Sequence, residues 1–242
     1  MGALKADAET SYLGTLWWVL EPLLLSLLFY IAFSGGLKEN NTGSDFFYFL
    51  ICALMPFKWT SSVINTSSSS ITTNMGILGQ FYLPKWIFPT ATSLSLLVRF
   101  LCVMPIVILL IILGEHPPSI SWLYLIPIIL CQFIVNIGLG YILAALTPII
   151  PDLRHLIPLG ITAIMFTSGI FFDINQRPEH TQAILSINPF IEIFNAYRSV
   201  LLQGDRIAFS NLVYPSLFGI VTVLIGLTLL IKLDRYYPRL PA

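Results

Sequence analysis

Charge is what this chain has least of. Only 10% of its 242 residues are Asp, Glu, Lys or Arg, and the 12 acidic and 12 basic side chains cancel. A soluble domain carries about 25% charged residues. With 56% hydrophobic residues and a mean hydropathy of +0.84, these few charges cannot coat a water-soluble globule. A soluble enzyme and a disordered chain are both excluded. The zero net charge removes the basic footprint that nucleic-acid binding needs. Cysteine is scarce too: Cys52, Cys102 and Cys131 all lie in apolar stretches, with no disulfide or zinc-ligand spacing, and read as small buried hydrophobes. The three histidines, His116, His155 and His180, fall in connections without a metal-ligand partner in sequence. A lone Ser168-Gly169 has no histidine inside a span to activate it as a nucleophile. No G-x-x-x-x-G-K-[ST] occurs, so this chain has no P-loop for ATP.

What the sequence does have is long apolar runs. A membrane-spanning helix needs about 20 mostly apolar residues. Six runs qualify, over 13–33, 46–74, 86–113, 121–146, 156–172 and 212–231. The breaks between them are polar or turn-rich, as at Gly114-Glu115-His116-Pro117-Pro118 and in the knot at 147–155 with Pro148 and Pro151. The expected fold is an all-α membrane protein, one membrane domain over 1–242. The segment 186–203 is not a seventh span, because Glu192 and Arg198 interrupt it. It reads as an amphipathic helix capped by Asn188, with Pro189 at its first position and Gly204 as its stop. Its apolar face is Ile187, Phe190, Ile191, Phe194, Tyr197 and Leu201, with Glu192, Asn195 and Ser199 opposite. Such a helix lies at the interface or dips into the protein and returns.

The start lacks a basic stretch and its first apolar run is of full span length, so no cleavable signal peptide is expected. With both termini inside, Lys5, Lys85, Arg154, Lys232, Arg235 and Arg239 are cytoplasmic, and Lys38, Arg177, Arg198 and Arg206 are outside. The positive-inside rule favours that orientation. No internal repeat is visible, so the inverted-repeat signature of many secondary transporters is missing.

Residues 60–74 are almost all Ser, Thr or Asn. Lipid cannot solvate so many hydroxyls. Two readings stand: close helix packing through small residues, or a hydrated channel wall whose interchangeable donors and acceptors suit a sliding, hydroxyl-rich substrate. On the second reading Phe57, Lys58, Trp59, Ser61, Ser62, Asn65 and Ser69 line the path. Phe46, Phe47 and Tyr48 nearby suit sugar stacking or an interfacial aromatic belt.

Ionisable residues inside spans are Glu21, Lys58 and Arg99. Arg99 lies about 15 Å beyond Pro89 and Glu21 about 12 Å beyond Leu13, at 1.5 Å per residue. These comparable depths predict an intramembrane Glu21–Arg99 ion pair and leave Lys58 bordering the hydrated path.

Four motifs carry a resemblance. Ser11-Tyr12-Leu13-Gly14-Thr15-Leu16-Trp17-Trp18-Val19-Leu20-Glu21-Pro22 resembles the "LGxLWxxxxP" opening of permeases from polysaccharide ABC exporters, which move O-antigen, capsule or teichoic-acid chains. Tyr82-Leu83-Pro84-Lys85-Trp86-Ile87-Phe88-Pro89 resembles that family's "FPxxxxP" loop. Asp152-Leu153-Arg154-His155-Leu156-Ile157-Pro158 is similar to its "RDxRHLxP" turn, and Asn188-Pro189-Phe190 with Tyr197-Arg198-Ser199-Val200-Leu201-Leu202 to its "NP…(Y/F)RxxLL" segment. The motifs stand in the family's order and span nearly the whole chain. Two departures are Ala6-Asp7-Ala8-Glu9-Thr10, where the family has basic residues, and Pro151, where it has Arg before the Asp.

The resemblance implies a bacterial inner-membrane half-transporter of six spans, working as a homodimer. Two copies of a separate subunit carry ATP and magnesium, so this chain holds no cofactor, metal or catalytic residue of its own. It implies a coupling helix at 76–84, with Gly76, Leu78, Phe81, Tyr82 and Leu83 seated in the ATPase, and a second contact at Asp152 and Arg154. It also implies re-entrant gate helices over 174–203, with Asn188, Pro189, Tyr197 and Arg198 as gate residues. Arg198 is expected to bind a carboxylate there, Glu192 or Asp173. The substrate implied is a lipid-linked polysaccharide. The alternatives are a drug or small-lipid exporter of the same broad class, which the polar 60–74 wall disfavours, and a membrane-embedded glycosyl- or acyltransferase, which lacks the clustered carboxylates or histidines it needs.

Overall fold

The computed structural model describes residues 17–33, 43–78 and 83–234, and every regular element among them is helical. In chain order these are α1 (Trp17–Phe33), α2 (Gly43–Thr73), α3 (Met75–Leu78), α4 (Ile87–Leu113), α5 (Leu125–Leu146), α6 (Leu153–Thr167), α7 (Glu179–Leu185), α8 (Pro189–Arg198) and α9 (Ser210–Leu233), with a π-helical turn over Ser199–Gln203 extending α8. Among the described residues four stretches are long and apolar enough to cross a membrane: Phe46–Thr73, Ile87–Leu113, Ile120–Leu146 and Ser210–Leu233. Two shorter apolar helices, Leu20–Ala32 and Leu153–Thr167, correspond to the expected first and fifth spans. The fifth differs from expectation. Its helix begins at Leu153 and stops at Thr167, because Gly169 takes a positive φ of 69° that ends the helical path.

α2 is the central element and packs against α1, α4, α5, α6 and α8. A helix surrounded by others needs slender sides, and α2 supplies them with Ser and Thr. Ser67, wholly buried, faces Gly140 of α5, where an added Cβ would stand 3.0 Å from the Ser67 hydroxyl. The closest pair is α5 with α9. A Cβ at Gly219 would lie 2.9 Å from the backbone nitrogen of Val135, and one at Gly226 would lie 2.5 Å from Tyr141 Cβ. Glycine lets two helices approach to backbone contact, which replaces the hydrophobic drive that lipid does not supply. The apolar core includes a stack of Trp59 on Phe100, with ring centroids 4.5 Å apart and 15° between planes. Proline interrupts α1, α2, α4, α6 and α9, at Pro22, Pro56, Pro105, Pro158 and Pro215. Neighbouring helices supply substitute hydrogen bonds at such points in membrane bundles.

Two of the expected buried cysteines are buried, Cys52 and Cys131, but Cys102 is exposed on the outer side of α4. On α4 it shares that face with Leu101, Val98 and Leu109. No metal-ligand cluster occurs among the described residues.

Candidate functional site: the polar face of α2 and the buried α8 segment

The Ser/Thr tract divides between a buried and a more exposed face of one helix. Thr60, Ser67, Ser68 and Ser70 are buried against the bundle. Lys58, Ser61, Ser62 and Ser69 are half-buried, and Asn65, Thr66 and Thr73 are exposed. Lys58, Ser62, Asn65, Ser69 and Thr72 advance by four, three, four and three residues, which is one face of an α-helix. Within the helix these hydroxyls are satisfied by bonding back onto it: Ser69 Oγ donates to the Thr66 carbonyl at 3.2 Å and Thr72 Oγ1 to the Ser69 carbonyl at 2.9 Å. Ser68 and Ser70 do the same at 2.6 and 2.7 Å. Phe57 does not join the polar face. It is a core residue, turned away from the stripe with 7% exposure. Trp59 is also mostly buried, though its ring borders the cleft beside Lys58.

The intramembrane charges pair differently from expectation. Glu21 Oε1 meets Lys58 Nζ at 2.5 Å, so the carboxylate goes to Lys58 and not to Arg99. The helix register explains this, because α1 lies along α2 and presents Glu21 to the start of the polar stripe. Arg99 reaches the same cleft from α4. Lys58, expected to lack a carboxylate, has Glu21 beside it and stands at the start of the polar face.

The α8 segment dips into the protein. Asn188 Oδ1 accepts from the Phe190 N–H at 3.0 Å, Pro189 occupies the first turn, and Gly204 ends the segment at φ 68°. Asn188 Nδ2 also donates to Ser168 Oγ at 2.8 Å and Thr167 Oγ1 at 3.1 Å, tying the start of α8 to the end of α6. Phe190, Ile191, Ile193, Phe194, Ala196 and Tyr197 are buried, whereas Ile187, expected on the apolar face, is 70% exposed because it precedes the helix proper.

Arg198 is 5% exposed and makes no hydrogen bond to Glu192 or Asp173 among those described. Its donors go to backbone carbonyls: Nε to Phe49 at 3.1 Å, Nη1 to Gly169 at 2.8 Å and Nη2 to Ile170 at 2.8 Å. The guanidinium also lies 3.5 Å from the centroid of the Phe49 ring. Gly169 and Ile170 lie just past the end of α6 at Thr167, where their carbonyls have no place in the helix, and a guanidinium carries five donors to reach them and Phe49 together.

Tyr197 is fully buried, and its hydroxyl donates to Gln132 Oε1 at 2.9 Å. Gln132 Nε2 in turn donates to the Pro56 carbonyl at 2.8 Å and to Thr60 Oγ1 at 2.9 Å. One side chain on α5 thus joins α8 to α2. Gln132 was not picked out from the sequence, although a lone glutamine in an apolar run was a readable signal. A second element missed is the Lys85–Asp234 ion pair, 3.0 Å long and nearly sealed at Lys85, which fastens the turn before α4 to the end of α9.

Of the residues expected to seat the ATPase, Gly76 is exposed in the short helix α3, to which Leu78 also belongs; Leu83 is half-buried. Asp152 and Arg154 are exposed at the start of α6. Phe81 and Tyr82 lie outside the described residues.

Known proteins resemble this chain over most of its length. The chain is 27% identical to the O-antigen export system permease protein RfbA of Klebsiella pneumoniae, over 98% of this chain and 91% of the relative. It is 27% identical to the polysialic acid transport protein KpsM of Escherichia coli, over 90% and 84%. It is 22% identical to the capsule polysaccharide export inner-membrane protein CtrC of Neisseria meningitidis, over 92% and 84%. Residues 3–202 match the profile of the ABC-2 type transporter family, a span that includes the polar helix, the clustered charges and the buried α8 segment. With that match covering most of its length, this multi-pass, all-helical chain belongs to the ABC-2 type transporters as a permease subunit.

Proposed function

We propose that this chain is the membrane half of an ATP-driven exporter that moves a lipid-linked polysaccharide across a bacterial inner membrane. The observation that carries the reading is the polar face of α2. Asn65 is exposed and Lys58, Ser62 and Ser69 are half-buried in the single subunit, where hydrocarbon cannot solvate them. They face water, substrate or a second copy. A surface rich in hydroxyls and amide groups exchanges hydrogen bonds with a glycan and offers little to a drug-like apolar molecule. The named activities of the relatives, O-antigen, polysialic acid and capsule export, point to the same substrate class.

With α1 and α6 as the first and fifth of six spans both termini lie on one side, and the positive-inside rule favours the cytoplasm. Six helices enclose little space, so two copies form the path. The sequence holds no P-loop, and two copies of a separate ATPase subunit supply the energy. They engage residues 76–84, and Asp152 and Arg154, from below. The α8 segment, held by Asn188, Pro189, Tyr197 and Arg198, forms the gate near the outer face. ATP binding moves the coupling helices and opens the path.

The test is thiol labelling in a cysteine-free background. Asn65→Cys and Ser69→Cys should react with a membrane-impermeant, water-soluble maleimide, and the reaction should slow when the glycan is being exported. Leu224→Cys on α9 should not react. Equal protection at all three positions would refute a hydrated path along α2.

A further inference from the structure

α5 and α9 are in contact along nearly the whole length of α9. Toward the Ser210 end, Ser216 Oγ donates to Cys131 Sγ at 3.3 Å. At the middle, a Cβ at Gly138 would stand 2.3 Å from Thr222 Oγ1 and 2.8 Å from the Val223 nitrogen. Further on, Gly226 admits Tyr141, and Leu230 is buried with Ala144 and Ala145. Backbones packed this closely cannot slide past one another without a clash, so the pair is stiff against shear. The 24 residues of α9 make it about 36 Å long at 1.5 Å per residue. Each end of the pair is fastened to a different segment. At the Asp234 end, Asp234 Oδ1 holds Lys85 Nζ at 3.0 Å, and the Tyr141 hydroxyl lies 2.7 Å from Thr90 Oγ1. Lys85 directly follows residues 76–84, and Thr90 stands in the first turn of α4. At the Ser210 end, the Tyr214 hydroxyl donates to the carbonyl of Ile187, the residue before the Asn188 cap. Gln132 of α5 accepts from Tyr197 of α8 at 2.9 Å. Lys85 is only 4% exposed. An ion pair sealed to that degree stabilises no more than apolar packing of equal volume, because both charges lose their water. What it adds is direction, since the ammonium must follow the carboxylate and so holds the end of the 76–84 segment in register with α9.

We infer that the α5–α9 pair is a lever between residues 76–84 and α8, with Lys85 and Asp234 as positioning residues at one end and Tyr214 at the other. The lever rests on the export reading, in which the ATPase moves 76–84, and it names the route by which that displacement reaches the gate. A shift of Lys85 draws Asp234 with it. Because α5 and α9 resist sliding, the shift reappears at Ile187 and Tyr197 and is not absorbed within the bundle. Both of these residues flank or belong to the α8 segment, so the whole segment moves with the far end of the lever.

The experiment first reads amide hydrogen exchange on the full chain in nanodiscs, with no ATPase present. Asp234→Asn should speed exchange by about fivefold at Phe190 and Ile191, at the far end of α9 from the change. Lys85→Glu combined with Asp234→Lys should return those amides to the wild-type rate. With Tyr214→Phe already in place, Asp234→Asn should act on α8 only about half as strongly, since one of the two fastenings there is gone. Three results would overturn the lever. They are faster exchange confined to the first turn of α4 and the last turn of α9, as a merely local ion pair gives; an even acceleration over all helices, as a general loss of stability gives; and an effect on α8 that Tyr214→Phe leaves undiminished. The second arm uses the chain with its ATPase subunits and an environment-sensitive fluorophore at Gly76→Cys or Ile187→Cys, both exposed positions. Cys102→Ser removes the exposed native thiol, and Cys52 and Cys131 are buried. ATP should shift both signals, and Asp234→Asn should keep the shift at Gly76→Cys and abolish the one at Ile187→Cys. Both shifts surviving Asp234→Asn would overturn the lever. A silent Gly76→Cys reporter beside the expected exchange pattern would instead sink the ATPase contact at 76–84 and leave the lever standing.

Discussion

α2 and α9 are both long helices of one bundle, and both keep a face uncovered, yet the two faces have opposite chemistry. α9 shows Val213, Leu217, Ile220, Val221, Leu224 and Ile225 to the outside. α2 shows Lys58, Ser62, Asn65, Ser69 and Thr73. Exposure of the apolar face would be a liability in water, and exposure of the polar face would be one in hydrocarbon. One subunit therefore meets two solvents, lipid on the α9 side and something polar on the α2 side. Mean hydropathy conceals this, since both helices pass as span candidates. The informative quantity is what each helix leaves uncovered.

The most severe way to break this contrast is to move a charge from one face to the other. Leu224→Arg should cost about 2.5–3.5 kcal/mol of insertion free energy at a helix centre and deplete the protein from carbonate-washed membranes. Ser69→Arg, on a face that already carries Lys58, should leave the inserted amount near wild type. Equal depletion would mean that α2 also faces lipid. The contrast sharpens through Gln132, which fixes the rotation of α2 by bonding Pro56 and Thr60 while receiving Tyr197. Gln132→Leu strands the buried Tyr197 hydroxyl and should lower stability by about 1–3 kcal/mol, read as an earlier thermal transition in detergent; Gln132→Leu with Tyr197→Phe should recover part of it. The smallest effect is expected at the mouth of α8. Asn188→Ala removes the cap, worth about 1 kcal/mol, and should appear as faster amide exchange across Phe190 and Ile191 with the rest of the bundle unchanged.

Much of this was legible in the sequence for physical reasons. The four long spans follow from apolar run length, and the α8 boundaries from Asn188, Pro189 and Gly204, whose roles are local. The charge pairing was not legible. Depth along each helix is set by the 1.5 Å rise, but which helix lies beside which is a property of packing, and Glu21 met Lys58 because α1 leans on α2. Arg198 misled for a related reason. A buried cation was expected to bind a carboxylate directly, and the hydrogen bonds described above go instead to carbonyls, two of them just past the helix end at Thr167. Phe57 and Lys58 are adjacent in sequence but part between core and cleft, since a helix turns about 100° per residue.

The back-bonded hydroxyls on the open side of α2 have a consequence for motion. Ser69 and Thr72 each spend their one proton on a carbonyl of their own helix, yet each oxygen keeps lone pairs for an incoming donor. If the hydroxyl rotates toward a passing group, the carbonyl it leaves still has its helical N–H partner, so no group is stranded and the exchange is nearly level in free energy. A wall of such groups grips weakly everywhere and strongly nowhere. A long polar chain drawn along such a wall meets a shallow, even series of wells, and its speed is then set by the force that draws it.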